Sequence, residues 1–152
     1  MHSKEDRTEK TKEAIKLMIH TDRMHRKECE RRFSSLNIHR SQHMMLLALA
    51  RMGNGASQKA LASELNISPA AAAKTLKKLE HDEMITRSSC SSDARQNDTV
   101  ITEKGKAIVE ESRRIMKGLD AEMVGELSDE ELDTLYVLLS KLHTSLSKIC
   151  EQ

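Results

Sequence analysis

The sequence predicts a mainly α-helical fold with one small β-hairpin and long terminal helices. Three observations lead there. Aromatic residues are about 1% of the 152 residues, with no Trp, one Phe and one Tyr, so the core must be aliphatic. Five Gly and one Pro leave little turn chemistry for a sandwich or barrel. The remaining apolar residues, chiefly Leu, Ile, Met and Ala, recur mostly at helical spacing.

The first helix is expected from about Lys10 to Phe33, where Ile15, Met18, Ile19, Cys29 and Phe33 form an interrupted apolar stripe among many charges. Ser34-Ser35-Leu36-Asn37 breaks it. A second helix should run from Arg40 to Arg51 through Met44-Met45-Leu46-Leu47-Ala48-Leu49 and stop at Gly53-Asn54-Gly55. Ser57 is a good N-cap for the short helix that follows, and Ser68-Pro69 is a cap with proline at the first helical position. Leu65-Asn66-Ile67 joins the two short helices in a tight turn. That is the grammar of a helix-turn-helix, with small Ala62 at the crossing and Leu61, Leu65, Ile67, Leu76 and Leu79 as its expected core. On the second of these helices Ala72, Leu76 and Leu79 lie on one side, and Ala70, Lys74, Lys77 and Lys78 on the other.

Met84–Arg87 and Asp98–Ile101 are two β-leaning runs around the polar stretch SSCSSDARQN, which reads as a hairpin, or wing. Thr102 should cap the next helix, running to about Gly125. Ser128-Asp129-Glu130-Glu131 is a capping box. The last helix places Leu132, Leu135, Leu139, Leu142, Leu146 and Ile149 at alternating spacings of three and four, a seam that wants a partner helix. Of the nine Met, Met18, Met24, Met44, Met45, Met116 and Met123 are suited to an adaptable pocket, with core filling the expected role of most of them.

Charge narrows the function. The net charge of +1 hides an asymmetry: residues 1–40 carry 11 Lys/Arg against 7 Asp/Glu, and residues 107–152 carry 5 against 10. A near-neutral chain still binds nucleic acid where its cations cluster in space. No apolar run approaches the roughly 20 residues that span a bilayer. The charged start MHSKEDRTEKTKEAIK lacks the apolar stretch of a secretory signal, and the cysteines at 29, 90 and 150 form no CxxC, so a cytoplasmic location is expected. There is no phosphate-binding glycine loop, GxSxG or HExxH, and an enzyme is not expected.

With these elements in order, the chain resembles the MarR family of winged helix-turn-helix transcription regulators. The resemblance rests on SQKALASELNISPAAAAKTLKKLEHDEMI, on the wing SDARQNDTVITEKGKAI, and on LSDEELDTLYVLLSKLHTSL, and covers roughly residues 30–146. Within the wing, Asp93, Arg95, Ile101, Thr102, Lys104 and Gly105 carry a specific signature. It implies a helical dimerisation region of residues 1–36 and 107–152 around a DNA-binding domain of 37–106. It implies a homodimer on a pseudo-palindromic double-stranded DNA operator, most simply a ligand-responsive repressor with an unknown small-molecule effector and no required cofactor. The second helix of the pair would enter the major groove and Arg95 the adjacent minor groove, oriented by Asp93. The DNA-facing set is then Ser57, Ser68, Ala70, Ala71, Lys74, Thr75, Lys77, Lys78, Arg87 and Arg95. Lysines supply point charges to phosphate, and alanines allow close approach.

Dimerisation is expected from Ile15 and Ile19 with Leu135, Leu139, Leu142 and Leu146. The effector is expected near His25, Arg32, His39, His43 and Met44, where Arg32 and the histidines suit an anion. His25 and Cys29, and His39 and His43, are i,i+4 pairs of good zinc ligands, so a zinc-sensing regulator stays open. So does a redox sensor at Cys29. From another class, a helical scaffold using the terminal seam alone would have no use for a Lys-faced helix-turn-helix. Two departures from the family stand out: Glu83 replaces a usual glycine after the recognition helix, and His39 replaces a usual Thr or Ser cap.

Overall fold

The computed structural model describes residues 4–53, 55–89 and 97–151. These form six α-helices and one hairpin: α1 (Lys4–Phe33), α2 (Arg40–Met52), α3 (Gln58–Glu64), α4 (Pro69–His81), β1 (Ile85–Ser89), β2 (Asn97–Ile101), α5 (Glu103–Met123) and α6 (Asp129–Cys150). Helix α1 begins six residues before the expected Lys10, because its first turns are rich in helix-forming Glu and Lys and need no apolar stripe. None of the described helices is long and apolar enough to cross a membrane. Compactness divides the chain into two units, Met1–Ile115 and Met116–Gln152.

In the first unit, Phe33, Met45, Leu46, Leu49, Leu61, Leu76, Leu79 and Ile85 are all but fully buried. A single 3₁₀ turn, Ser34–Leu36, ends α1, and Asn37 follows in the left-handed region with φ 53°. That reversal lets Ile38, 3% exposed, turn into the core ahead of α2. The expected caps form: the Ser57 hydroxyl accepts from the Ala60 N–H, and the Ser68 hydroxyl from the Ala71 N–H, both at 3.1 Å. Between α3 and α4, Asn66 is left-handed at φ 50°, an excursion asparagine tolerates well. Ile67 differs from expectation. Its N–H closes the turn onto the Ala62 carbonyl at 3.0 Å, but its side chain stays 37% exposed at the corner, and Leu65 is only half-buried. Met18, Met24 and Met123 are likewise exposed rather than core-filling.

The hairpin is antiparallel, pairing Ile85 with Ile101, Arg87 with Thr99 and Ser89 with Asn97. Met84, expected to open the first strand, belongs instead to the turn before it. Its N–H is spent on the Leu79 carbonyl at 2.9 Å, and its carbonyl accepts from the Thr102 N–H at 3.1 Å. Gly105 explains itself here, since a Cβ at that position would stand 2.1 Å from the Met84 carbonyl oxygen. The Thr102 hydroxyl ties the same corner, donating to the Glu83 carbonyl at 2.7 Å and accepting from the Gly105 N–H at 3.1 Å.

In the second unit, Ser128 and Glu131 exchange hydrogen bonds at 3.2 and 2.9 Å, the expected capping box of α6. No residue of α6 is buried.

Candidate nucleic-acid interface

Helix α4 presents two chemically distinct faces. Ala72, Leu76 and Leu79 are sealed into the core, while Ala70, Ala71, Lys74, Lys77 and Lys78 are exposed. Two small residues stand at the helix N-terminus, where backbone can approach a ligand closely, and the cations follow. Lys74 and Lys77 have no ion-pair partner among the described residues. Lys78 differs, with its ammonium 2.8 Å from an Asp82 carboxylate oxygen. Thr75 is half-buried and donates its hydroxyl to the Ala71 carbonyl at 3.1 Å. Ser57 and Ser68 use their hydroxyl oxygens as caps.

The start of α4 is clamped from α3, where the Gln58 amide donates to the Pro69 carbonyl at 3.3 Å. Its end is set by Glu83, which stands at φ 60° where a glycine would be unstrained. The Glu83 N–H bonds to Glu80 and the Met84 N–H to Leu79, the paired closure that a left-handed residue after a helix makes possible. On the wing, Arg87 is half-buried with a buried Nε that lacks a hydrogen-bond partner among the described residues. Asp93 and Arg95, and Cys90 with them, lie outside the described residues.

The α1–α2 corner holds the candidate effector residues in separate small arrangements. Cys29 is buried and sits 3.7 Å from His25 Nε2. Hydrogen bonds from Arg31 and Arg32 pull the Glu28 carboxyl down to a pKa of about 2, so Arg32 is already engaged with an anion of its own chain. His39 is exposed and pairs with Glu30 at 3.2 Å, and Glu30 also accepts from the Arg40 N–H at 3.0 Å. Glu30 thereby serves the first N–H of α2, while the Gln42 side-chain oxygen accepts the His39 N–H as the return half of a capping box. His43 is 3% exposed, with its ring 4.7 Å from that of Phe33. Burial, with the charges of Arg40 and Arg113, pushes its pKa down to about 4, so the buried imidazole is neutral at pH 7. Met44 beside it is half-buried. Among the described residues, no three His, Cys, Asp or Glu side chains are placed to hold a metal ion together.

A capped, lysine-faced helix crossing a second short helix beside a two-stranded hairpin is the arrangement by which a winged helix presents itself to DNA. Residues 38–96, spanning α2 to the wing, match the MarR family model. Over that stretch the chain is similar to the MarR family. The match identifies a DNA-binding transcription regulator rather than an enzyme.

Solved structures of similar fold agree along nearly the whole chain. A MarR family transcription regulator, SP03579, is 18% identical, with 96% of each chain covered and a TM-score of 0.86. Staphylococcus aureus MarR in complex with salicylate and kanamycin is 23% identical over 91% of this chain and 93% of that one, with a TM-score of 0.81. The S. aureus MepR–DNA complex is 24% identical over 86% of this chain and 94% of that one, with a TM-score of 0.74. At such identities the likeness establishes the MarR fold, including its hairpin and long terminal helices.

Two positioning contacts escaped sequence reasoning. Gln58 to Pro69 and Gln42 to Asp82 join residues 11 and 40 positions apart, and neither has a local pattern to betray it.

Proposed function

We propose that this chain works as a cytoplasmic homodimeric repressor that seats two α4 helices in successive major grooves of a pseudo-palindromic operator. The observation that carries this reading is the exposed face of α4, with Ala70 and Ala71 at the helix N-terminus and unpaired Lys74 and Lys77 beyond them. Half-sites about one helical turn apart follow from doubling that face by a two-fold axis. The solved MepR–DNA complex supports the same use of the fold. Arg87 and Arg95 of the wing would add contacts beside the major groove. Self-association is supported by the apolar residues left in solvent on α1 and α6, including Ile15, Ile19, Leu135, Leu139, Leu142 and Leu146.

Release of DNA then requires a ligand that binds the competent and incompetent arrangements of the two reading heads unequally. The α1–α2 corner, with His25, Arg32, His39, His43 and Met44, is the proposed seat of a small organic effector. A zinc-responsive version has one supporting observation, the approach of His25 to Cys29. Zinc-dependent binding that a chelator abolishes and Cys29→Ser removes would replace the organic effector by the metal.

The test is competition between a fragment of the protein's own upstream region and random-sequence DNA. The expected result is tighter binding to the upstream fragment with a steep salt dependence, weakened by about 1 kcal/mol per half-site in Lys74→Ala. Equal affinity for both DNAs would overturn the repressor reading.

A further inference from the structure

Asp82 is oddly placed. It is the residue that closes the C-terminus of α4, where the helix dipole opposes a carboxylate. Two hydrogen bonds hold it there. One Oδ faces the Lys78 ammonium at 2.8 Å, and the other accepts at 3.1 Å from the Gln42 amide on α2. Burial pushes the Asp82 carboxyl up, but the bonds from Lys78 and Gln42 outweigh it and leave the pKa below its ordinary value, so the group stays charged.

Gln42 is the anchor of this arrangement. It is 2% exposed, so its amide must find partners within the protein. Its oxygen accepts the His39 N–H at 3.0 Å, and its nitrogen reaches Asp82. His39 is in turn paired to Glu30 of α1. The Asp82 carboxylate, only 19% exposed at its side chain, is therefore fixed from the core side while Lys78 approaches it from the solvent side at 52% exposure. An ordinary i,i+4 surface pair loses its small benefit to side-chain entropy. Here one partner is already immobilised.

We propose that Gln42 and Asp82 are positioning residues of the DNA interface: they hold Lys78 masked, so that α4 offers Lys74 and Lys77 to phosphate and withholds the third cation. The proposal rests on the DNA-binding reading of α4. Phosphate contacts strengthen binding to every sequence alike, operator or not. Withholding one cation per protomer therefore lowers the hold on random DNA, and the buried amide ties that setting to the α1–α2 corner.

The experiment measures binding of the full chain to a random-sequence duplex and to its own upstream fragment across a salt series. Asp82→Asn keeps an acceptor for Gln42 but loses the charge. It should bind both DNAs on the order of threefold more tightly and steepen the log–log salt slope by about 0.9 per protomer. The same change made in a Lys78→Met background should have no effect on the slope. Gln42→Met, confirmed as folded by its melting transition, should shift the slope in the same direction by a smaller amount. An unchanged slope in Asp82→Asn, or a steepening that persists without Lys78, overturns the proposal. If the wild-type chain prefers neither DNA, the failure lies instead with the DNA-binding reading itself.

Discussion

Helices α4 and α6 start alike and end differently. Both are amphipathic and both begin at a serine whose hydroxyl caps the first turn. In α4 the apolar stripe of Ala72, Leu76 and Leu79 is at most 1% exposed, whereas in α6 Leu135, Leu139, Leu142 and Leu146 are 36%, 45%, 46% and 58% exposed. An apolar stripe satisfied within its own chain leaves the opposite face free for a polar task. A stripe left in water calls for a partner, since each buried leucine is worth roughly 1.5–3 kcal/mol. The same periodicity in sequence thus marks a fold determinant in one helix and, on the proposed reading, an association surface in the other.

The largest expected effect tests the exposed side of that contrast. Leu139→Asp should weaken dimerisation by about 3–6 kcal/mol, because a two-fold interface loses the leucine twice. Sedimentation should show monomers, and a stable dimer would remove α6 from the interface. On the sealed side, Leu76→Ala should cost about 2–5 kcal/mol of unfolding stability in denaturant titration. A near-neutral result would mean that α4 is not held by its stripe.

A third prediction sharpens how tightly the first unit is closed. His43 has a folded pKa of about 4 against an ordinary 6.5, so between those values the unfolded chain binds more protons than the folded one. Its contribution is fully present above pH 6.5 and is lost as the pH falls toward 4. Thermal melts of the wild-type chain should therefore decline over that window more steeply than those of His43→Leu. Identical profiles would show that the imidazole is not sealed. The smallest effect concerns the exit from α4, where Glu83→Gly relieves a left-handed side chain and should raise stability by about 0.5–1 kcal/mol. A loss would mean that the φ 60° conformation at Glu83 carries no strain.

Much of this was legible in the sequence where the signals are local. Ser57, Ser68-Pro69 and the Ser128–Glu131 box marked three helix starts to the residue, and each forms the hydrogen bond its chemistry requires. Glu83, singled out because glycine is usual there, does adopt the positive φ that makes glycine usual. The misses are of two kinds. Hydropathy places Ile67 in the core and β propensity places Met84 in the strand, but both have backbone N–H groups committed to turns, which decide their places instead. The Gln42–Asp82 tie depends on how α2 packs against the end of α4, a matter of tertiary geometry that no spacing rule records. Of the interface, the lysine face of α4 was visible as a helical pattern, while the masking of Lys78 needed coordinates.

The most direct test of a dimeric reader built on α4 and α6 is the mass of its operator complex in solution. Sedimentation of a labelled upstream fragment with the wild-type chain should show two protomers per site, and Leu139→Asp should bind that fragment no better than random DNA. One protomer per site, or a Leu139→Asp variant that binds the fragment as tightly as wild type, would contradict it.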